Sequence, residues 1–221
     1  MAMNPQRTKI APVWHTVCLL TGLAVLAGLL KFMGLGSANP RASNLAIYLI
    51  GFAFEWALFG FTLWRTDAAF VQYAAKTVKT PRALLWDIPI AALLCGVLLG
   101  ISPLIIRMIG PGGWDTTQGM LPKTGLERAV WVLISITAGI TEETIFRGYL
   151  QQQIQGWTGF AAAGVIGQAV IFGVCHLYQG WKLVGLICIW GLVFGVFAHL
   201  RKGLRANMIA HAVLDSLSAV T

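Results

Sequence analysis

The sequence has few charged side chains. Only 11% of its 221 residues are charged and 57% are hydrophobic, whereas about a quarter of the residues in an ordinary soluble domain are charged. A membrane-spanning helix needs about 20 mostly apolar residues, and the chain offers several such stretches in succession. This composition excludes an ordinary soluble protein and leaves little room for a separate soluble domain.

The sequence also lacks paired cysteines, internal repeats and low-complexity tracts. Its four cysteines all lie inside apolar runs, and no two of them form a CxxC pair: Cys18, Cys95, Cys175 and Cys188. This spacing excludes a disulfide framework and a zinc knuckle. We interpret the cysteines as small buried hydrophobic residues.

Basic residues are in excess, with 16 Lys and Arg against 8 Asp and Glu. In a soluble protein such an excess would suggest nucleic-acid binding. Here, however, the basic residues cluster between apolar segments, as in residues 201–205, and no basic run is interleaved with exposed aromatics. We therefore expect a membrane-surface role for them and no nucleic-acid partner.

The apolar stretches predict an all-α, multi-pass transmembrane helical bundle of about seven spans. We expect spans at about 13–35, 45–64, 84–109, 127–154, 156–178, 181–200 and 204–220. Segment 65–83 is polar enough to lie on the membrane surface, and 110–126 is rich in turn residues and predicts a loop. Residues 1–126 would form the N-terminal part and 127–221 a C-terminal helical core of one integral membrane domain.

The distribution of Lys and Arg favours a cytoplasmic N-terminus. With seven spans, about 9 Lys and Arg fall on the side of the N-terminus and about 6 on the other side. Because basic residues concentrate on the cytoplasmic side of a membrane, the first span would begin inside the cell.

Ionisable side chains are expensive at membrane depth and are a functional hypothesis by default. This chain places six of them in the last four predicted spans. They are Glu142, Glu143, Arg147, His176, His211 and Asp215. We therefore expect the active site to lie in the C-terminal four spans.

The spacing of these residues indicates local pairs, because residues four apart share a helix face. Glu143 can pair with Arg147, and His211 lies beside Asp215. Two adjacent carboxylates in a low dielectric do not both ionise easily unless a cation compensates them. General acid–base chemistry needs such an arrangement.

Whether these groups meet depends on the turn between the fourth and fifth spans, which we expect at residues 156–159, beginning at Gly156. The helix from Glu143 to that turn would be about 20 Å long, and the helix from the turn to His176 about 30 Å long. The two side chains would then differ in depth by about 10 Å. This offset is the weakest step in the predicted geometry.

Three short motifs resemble those of a known family. Residues 141–150 (TEETIFRGYL) resemble the EExxxR motif, residues 172–176 (FGVCH) the FxxxH motif, and residues 211–215 (HAVLD) the HxxxN/D motif. They follow the order found in the CPBP family of CaaX proteases and bacteriocin-processing enzymes, also called the Abi or Rce1-type family. The resemblance covers the chain from about residue 127 to the C-terminus and implies a glutamic-type intramembrane protease core in 127–221.

By this resemblance, Glu142 and His176 would position and deprotonate a water molecule that hydrolyses a peptide bond. Glu143 and Arg147 would set the charge and orientation of that dyad. The resemblance also implies that His211 and the residue four positions later stabilise the oxyanion.

The last position departs from the family pattern. Members often have Asn there, whose amide donates hydrogen bonds, but Asp215 donates only when protonated. Either His211 alone supplies the donor, or Asp215 orients His211, or the cluster ligates a metal. No cofactor is firmly implied; in the metal alternative, zinc would be held by Glu142, His176 and His211.

The implied partners are the lipid bilayer and a peptide or protein with a membrane-embedded or lipidated terminus. The substrate could resemble a prenylated C-terminus, a bacteriocin leader or a C-terminal sorting tail, and the sequence does not choose among them. A bacterial inner membrane would be a natural location, and there the last two substrates would be more natural than CaaX processing.

Two other functions use the same residues. A proton-coupled transporter could relay protons along the carboxylates and histidines, although no inverted repeat is visible. A non-catalytic scaffold of the same fold is the other alternative. Glu55 in the second span is an accessory candidate, whereas we interpret His15 and His199 as packing or interfacial residues.

Overall fold

A computed structural model of the chain describes residues 10–37, 40–68, 70–71, 73–74, 81–110 and 118–219. All regular structure in this part of the chain is helical, which confirms the predicted fold class. The seven helices are α1 (Val13–Met33), α2 (Asn44–Leu63), α3 (Pro81–Ile109), α4 (Gly125–Thr158), α5 (Ala161–Cys175), α6 (Trp181–Arg201) and α7 (Arg205–Leu217).

Five of these helices are long and apolar enough to cross a membrane: α1, α2, α4, α6 and residues Leu85–Met108 of α3. The chain is therefore an integral membrane protein. Helices α5 and α7 have only 15 and 13 residues, or about 22 Å and 20 Å against a hydrocarbon core of about 30 Å. The predicted spans 156–178 and 204–220 were too long, because both helices are shorter than their apolar stretches.

Some predictions fall on parts of the chain that the structure does not describe. Residues 1–9, most of the predicted surface segment 65–83, and residues 111–117 of the predicted loop 110–126 lie outside the described residues. The orientation of the bundle therefore stays a prediction.

Helix α4 is the central element, and its middle is not an α-helix. It begins with a capping box, in which Thr124 and Glu127 each accept a hydrogen bond from the other's backbone N–H. Residues Glu143–Leu150 then form a π-helix, and all eight of them are buried. Single π turns inside α-helices occur mostly at functional sites, and this one begins at the second glutamate of the EExxxR motif.

The turn after α4 lies within the predicted turn at residues 156–159. Gly159 adopts the left-handed conformation, with φ 77°, and ends the helix. Glu143 precedes Thr158, the last residue of α4, by the same number of residues as His176 follows Ala161, the first residue of α5. The expected depth offset of about 10 Å was counted from Gly156, and counting from Gly159 removes its basis.

Small residues let the helices around α4 approach closely. A Cβ on Gly139 of α4 would lie 2.5 Å from the backbone oxygen of Met208 in α7. On α6, a Cβ on Gly191 would lie 2.9 Å from the Cα of Ala169 in α5. The GxxxG sequence of residues 191–195 thus serves helix packing.

Hydrogen bonds fasten α1 to the second half of α4. His15 is fully buried, with Nδ1 2.9 Å from the hydroxyl of Tyr149 and Nε2 2.9 Å from the backbone oxygen of Phe61. The side chain of Gln153 accepts from the backbone N–H of Ile10 at 2.8 Å. The interpretation of His15 as a packing residue is confirmed, and His199 lies exposed in the last turn of α6.

Candidate active site

Four of the six predicted site residues line one cavity of about 740 Å³ between the helices. Glu142 comes from α4, His176 follows the last residue of α5, and His211 and Asp215 lie on α7. Glu55 of α2 lines the same cavity. Most of the remaining wall is formed by apolar side chains of α1, α2, α3, α4 and α6.

The two adjacent glutamates point into different surroundings. The side chain of Glu142 is 21% exposed and faces the cavity. The side chain of Glu143 is fully buried behind the cavity, where it accepts hydrogen bonds from Arg147 at 2.9 Å, from His211 at 2.8 Å and from Asn207 at 3.2 Å. Glu142 thus keeps accessible oxygens, while Glu143 is saturated with donors.

Arg147 completes the buried cluster behind the cavity. It is four residues after Glu143, and its guanidinium carbon lies 4.2 Å from the ring centroid of Phe172 and 5.1 Å from that of Phe194. A buried guanidinium is stabilised by an anion and by aromatic faces. The predicted Glu143–Arg147 pair is therefore confirmed as a contact.

His211 connects the buried cluster with the cavity. Because the carboxylate of Glu143 can only accept, Nδ1 of His211 carries a hydrogen and donates to it. Nε2 lies 3.4 Å from Asp215 Oδ2 and 3.7 Å from Glu142 Oε2, which are ion-pair rather than strong hydrogen-bond distances. Three carboxylates around one imidazole favour its protonated form.

His176 has a defined tautomer. Its Nδ1 lies 2.7 Å from the backbone oxygen of Phe172, and because a carbonyl oxygen only accepts, Nδ1 carries the hydrogen. In the neutral ring, Nε2 is then a free acceptor. No direct hydrogen bond joins His176 and Glu142 in the described part of the chain, so the two groups face the cavity as separate proton acceptors.

One polar neighbour of this site, Asn207, was not among the predicted site residues. Asn207 donates to Glu143 and, at 2.8 Å, to the backbone oxygen of Phe194. It is four residues before His211 and eight before Asp215, so helical spacing could have identified it. The hydrogen bond between Glu55 and Thr141 joins α2 to α4 and has no signal in the sequence.

A metal site is not evident from this geometry. Among the residues that the structure describes, no group of three or more His, Cys, Asp or Glu side chains is arranged to hold a metal ion. The zinc alternative with Glu142, His176 and His211 therefore has no support in the arrangement of its ligands, and no step below uses a metal.

The same region of the chain matches a known family. Residues 124–217 match the family model described as type II CAAX prenyl endopeptidase Rce1-like. The match covers 94 of the 221 residues, so this part of the chain is similar to the Rce1-like family. The match begins at the N-cap of α4 and ends at the last residue of α7, so it covers the four helices that build the site.

The family match confirms the resemblance seen in the three motifs. The Rce1-like family is a protease family, and at the family level the match supports a CAAX-type intramembrane endopeptidase. No curated protein and no solved structure matches the chain significantly.

Proposed function

We propose that this chain is an active CAAX-type intramembrane endopeptidase that uses a water molecule activated by Glu142 and His176. One observation carries the proposal: the side chains of all three family motifs converge on a single cavity within a membrane-embedded helical bundle. The family match supports the reaction class, and the geometry supports the assignment of residues.

In the proposed reaction, the substrate water binds between Glu142 and His176. The carboxylate of Glu142 accepts one proton from the water, while Nε2 of His176 accepts a hydrogen bond from the hydrogen that stays on the oxygen. The hydroxide then attacks the carbonyl carbon of the scissile peptide bond. A positioned base of this kind contributes about 10²- to 10⁴-fold to the rate.

The developing oxyanion would be stabilised by His211. Its protonated ring has one N–H bound to Glu143, and the Nε2–H at the cavity surface remains to donate. A preorganised donor in a dry site replaces the hydration that the oxyanion has lost. Of the alternatives for Asp215, we favour the one in which its carboxylate, 3.4 Å from Nε2, orients and charges His211.

Glu143, Arg147 and Asn207 would hold this arrangement rather than react. They lie behind the cavity, and their hydrogen bonds fix His211 on α7 against α4. Their role is to fix the distance between the oxyanion donor and the base.

For the substrate, we propose a prenylated C-terminal peptide delivered from the bilayer. The apolar wall of the cavity fits a lipidated or strongly hydrophobic terminus, and the family description favours this class over a bacteriocin leader or a sorting tail. We further propose that the N-terminus lies on the cytoplasmic side, as the distribution of basic residues indicates.

The test is cleavage of an internally quenched farnesylated CaaX peptide by purified protein in detergent. We expect Glu142→Gln and His176→Phe to lower kcat at least about 10²-fold. The matched controls are Glu127→Gln, in the capping box of α4, and His199→Gln, exposed on α6. Unchanged cleavage by either site variant, or solute flux through liposomes without any cleavage, would contradict the proposal.

A further inference from the structure

A second carboxylate in the cavity has no part in the reaction described so far. Glu55 lies on α2, outside the matched residues 124–217. It is 8% exposed and lines the cavity together with Glu142, His176, His211 and Asp215.

The surroundings of Glu55 favour a neutral carboxylic acid. Within the described part of the chain, no Lys or Arg forms an ion pair with it, and an unpaired carboxylate at membrane depth is costly. Among the cavity groups that act on it electrostatically, Glu142 and Asp215 are acidic and only His211 can be cationic. The two carboxylates already outnumber the one imidazolium, so an ionised Glu55 would add a negative charge that no cation offsets.

A hydrogen bond from Thr141 fixes the position of Glu55. The Thr141 hydroxyl donates to Oε1 of Glu55 and lies 2.9 Å from the backbone oxygen of Thr137, one turn earlier in α4. The bond joins α2 to α4 and holds the Glu55 carboxyl at the cavity wall, next to the residue that precedes Glu142.

We propose that Glu55 is the general acid of this site, a protonated side chain that delivers its proton to the departing amine. The proposal rests on the proposed function, because it assigns a further group to the same hydrolysis. It also gives α2, which the family match does not cover, a direct part in the chemistry.

Every proton in this hydrolysis is accounted for. Glu142 takes a proton from water, and the hydroxide adds to the scissile carbonyl carbon. As the C–N bond breaks, its electron pair stays on nitrogen, and Glu55 protonates that nitrogen. The products are a carboxylic acid and an amine, and transfer of the proton from Glu142 to Glu55 restores the starting state.

Two carboxyl groups in different surroundings can divide these two tasks. Glu142 is partly exposed and its Oε2 lies 3.7 Å from Nε2 of His211, whereas Glu55 is more deeply buried and forms no ion pair with a Lys or Arg in the described part of the chain. Pairs of titratable groups whose environments separate their protonation states are how enzymes assign base and acid roles. Base and acid would then both be ready before the substrate arrives.

The experiment compares two farnesylated peptides of the same sequence, one with the scissile amide and one with a thioester in its place. An amine must be protonated to leave, but a thiol with a pKa of about 8.5 leaves as the thiolate. Glu55→Gln keeps a neutral side chain that can still bond Thr141, yet it has no proton to give. We expect its ratio of amide to thioester kcat to fall at least about 10²-fold.

Glu142→Gln is the matched comparison, because loss of the base should lower both rates together and leave that ratio nearly constant. If Glu55→Gln leaves the ratio unchanged, whether or not both rates fall, the role of Glu55 is overturned while the proposed function stands. If the unaltered protein cleaves neither peptide, the proposed function itself fails and this inference fails with it.

Infrared difference spectra test the protonation without any substrate. The unaltered protein minus Glu55→Gln should show the carbonyl stretch of a carboxylic acid, shifted in D₂O. A carboxylate band in its place would show that Glu55 is ionised and would overturn the proposal.

Discussion

Glu142 and Glu143 are neighbours in the sequence, yet they lie in two regions of opposite character. The cavity region holds Glu142, His176 and Asp215, whose side chains are partly accessible. The sealed region behind it holds Glu143 and Arg147, whose side chains have no exposed surface. The same residue type is left open for chemistry in one region and saturated with hydrogen bonds in the other.

This contrast indicates that the EExxxR motif has two physical roles. Buried ion pairs add little net stability, because desolvation offsets their attraction, but they are costly to break. Glu143 and Arg147 in the sealed region therefore depend on each other and act as a fixed support for the site. The cavity residues lack such mutual saturation and remain free to bind and react.

The largest expected difference between the two regions is in the stability of their variants. Glu143→Gln removes the anion from Arg147 and leaves a buried guanidinium uncompensated, so we expect the free energy of unfolding to fall by about 3–5 kcal/mol. Glu142→Gln changes a partly exposed side chain and should alter it by less than about 0.5 kcal/mol. Denaturant unfolding of both variants in the same detergent measures the difference.

Equal unfolding free energies for the two variants would mean that the two regions do not differ energetically. In that case the buried hydrogen bonds of Glu143 would not support the site, and the division of the motif into two tasks would be wrong.

The sequence identified the chemistry of both regions but not their separation. The six ionisable residues and the pairs Glu143–Arg147 and His211–Asp215 follow from i, i+4 spacing and from the cost of charge in a membrane. Spacing does not show which of the two glutamates faces the cavity. The π-helix that begins at Glu143 has no pattern in the sequence that predicts it.

Tertiary contacts account for the other differences. The predicted turn covered residues 156–159, but the sequence did not tell which of its two glycines, Gly156 or Gly159, takes the left-handed conformation, and the structure assigns it to Gly159. The hydrogen bond between Glu55 and Thr141 joins residues 86 positions apart. A contact of that range has no local signal in a single sequence.

A smaller effect should follow from separating α4, which carries Glu143 and Arg147, from α7, which carries His211. A methyl group on Gly139 would meet the backbone oxygen of Met208 at 2.5 Å and the Cβ of Ala212 at 3.2 Å. Because a backbone cannot rotate away as a side chain can, Gly139→Ala should lower the free energy of unfolding by about 1–3 kcal/mol. It should also lower kcat, since His211 would move away from Glu143.

Gly96→Ala in α3 is the matched control, because nothing lies within 4 Å of its added methyl group. Replacing a helical glycine in open space should change stability by no more than about 1 kcal/mol, in the favourable direction. Equal behaviour of the two variants would show that α4 and α7 are not held at a critical distance.

The smallest expected effect is at an ion pair outside both regions. It tests whether burial, rather than charge pairing alone, determines how much an ion pair contributes to stability. Arg201 lies 2.9 Å from Asp87, but its side chain is 41% exposed, and Arg205 also pairs with that carboxylate. Exposed pairs contribute about 0.2–1 kcal/mol and are screened by salt. Arg201→Gln should therefore lower the free energy of unfolding by no more than about 1 kcal/mol at low salt and by less at high salt. A loss as large as that of Glu143→Gln would show that ion pairing alone, without burial, dominates the stability of this bundle.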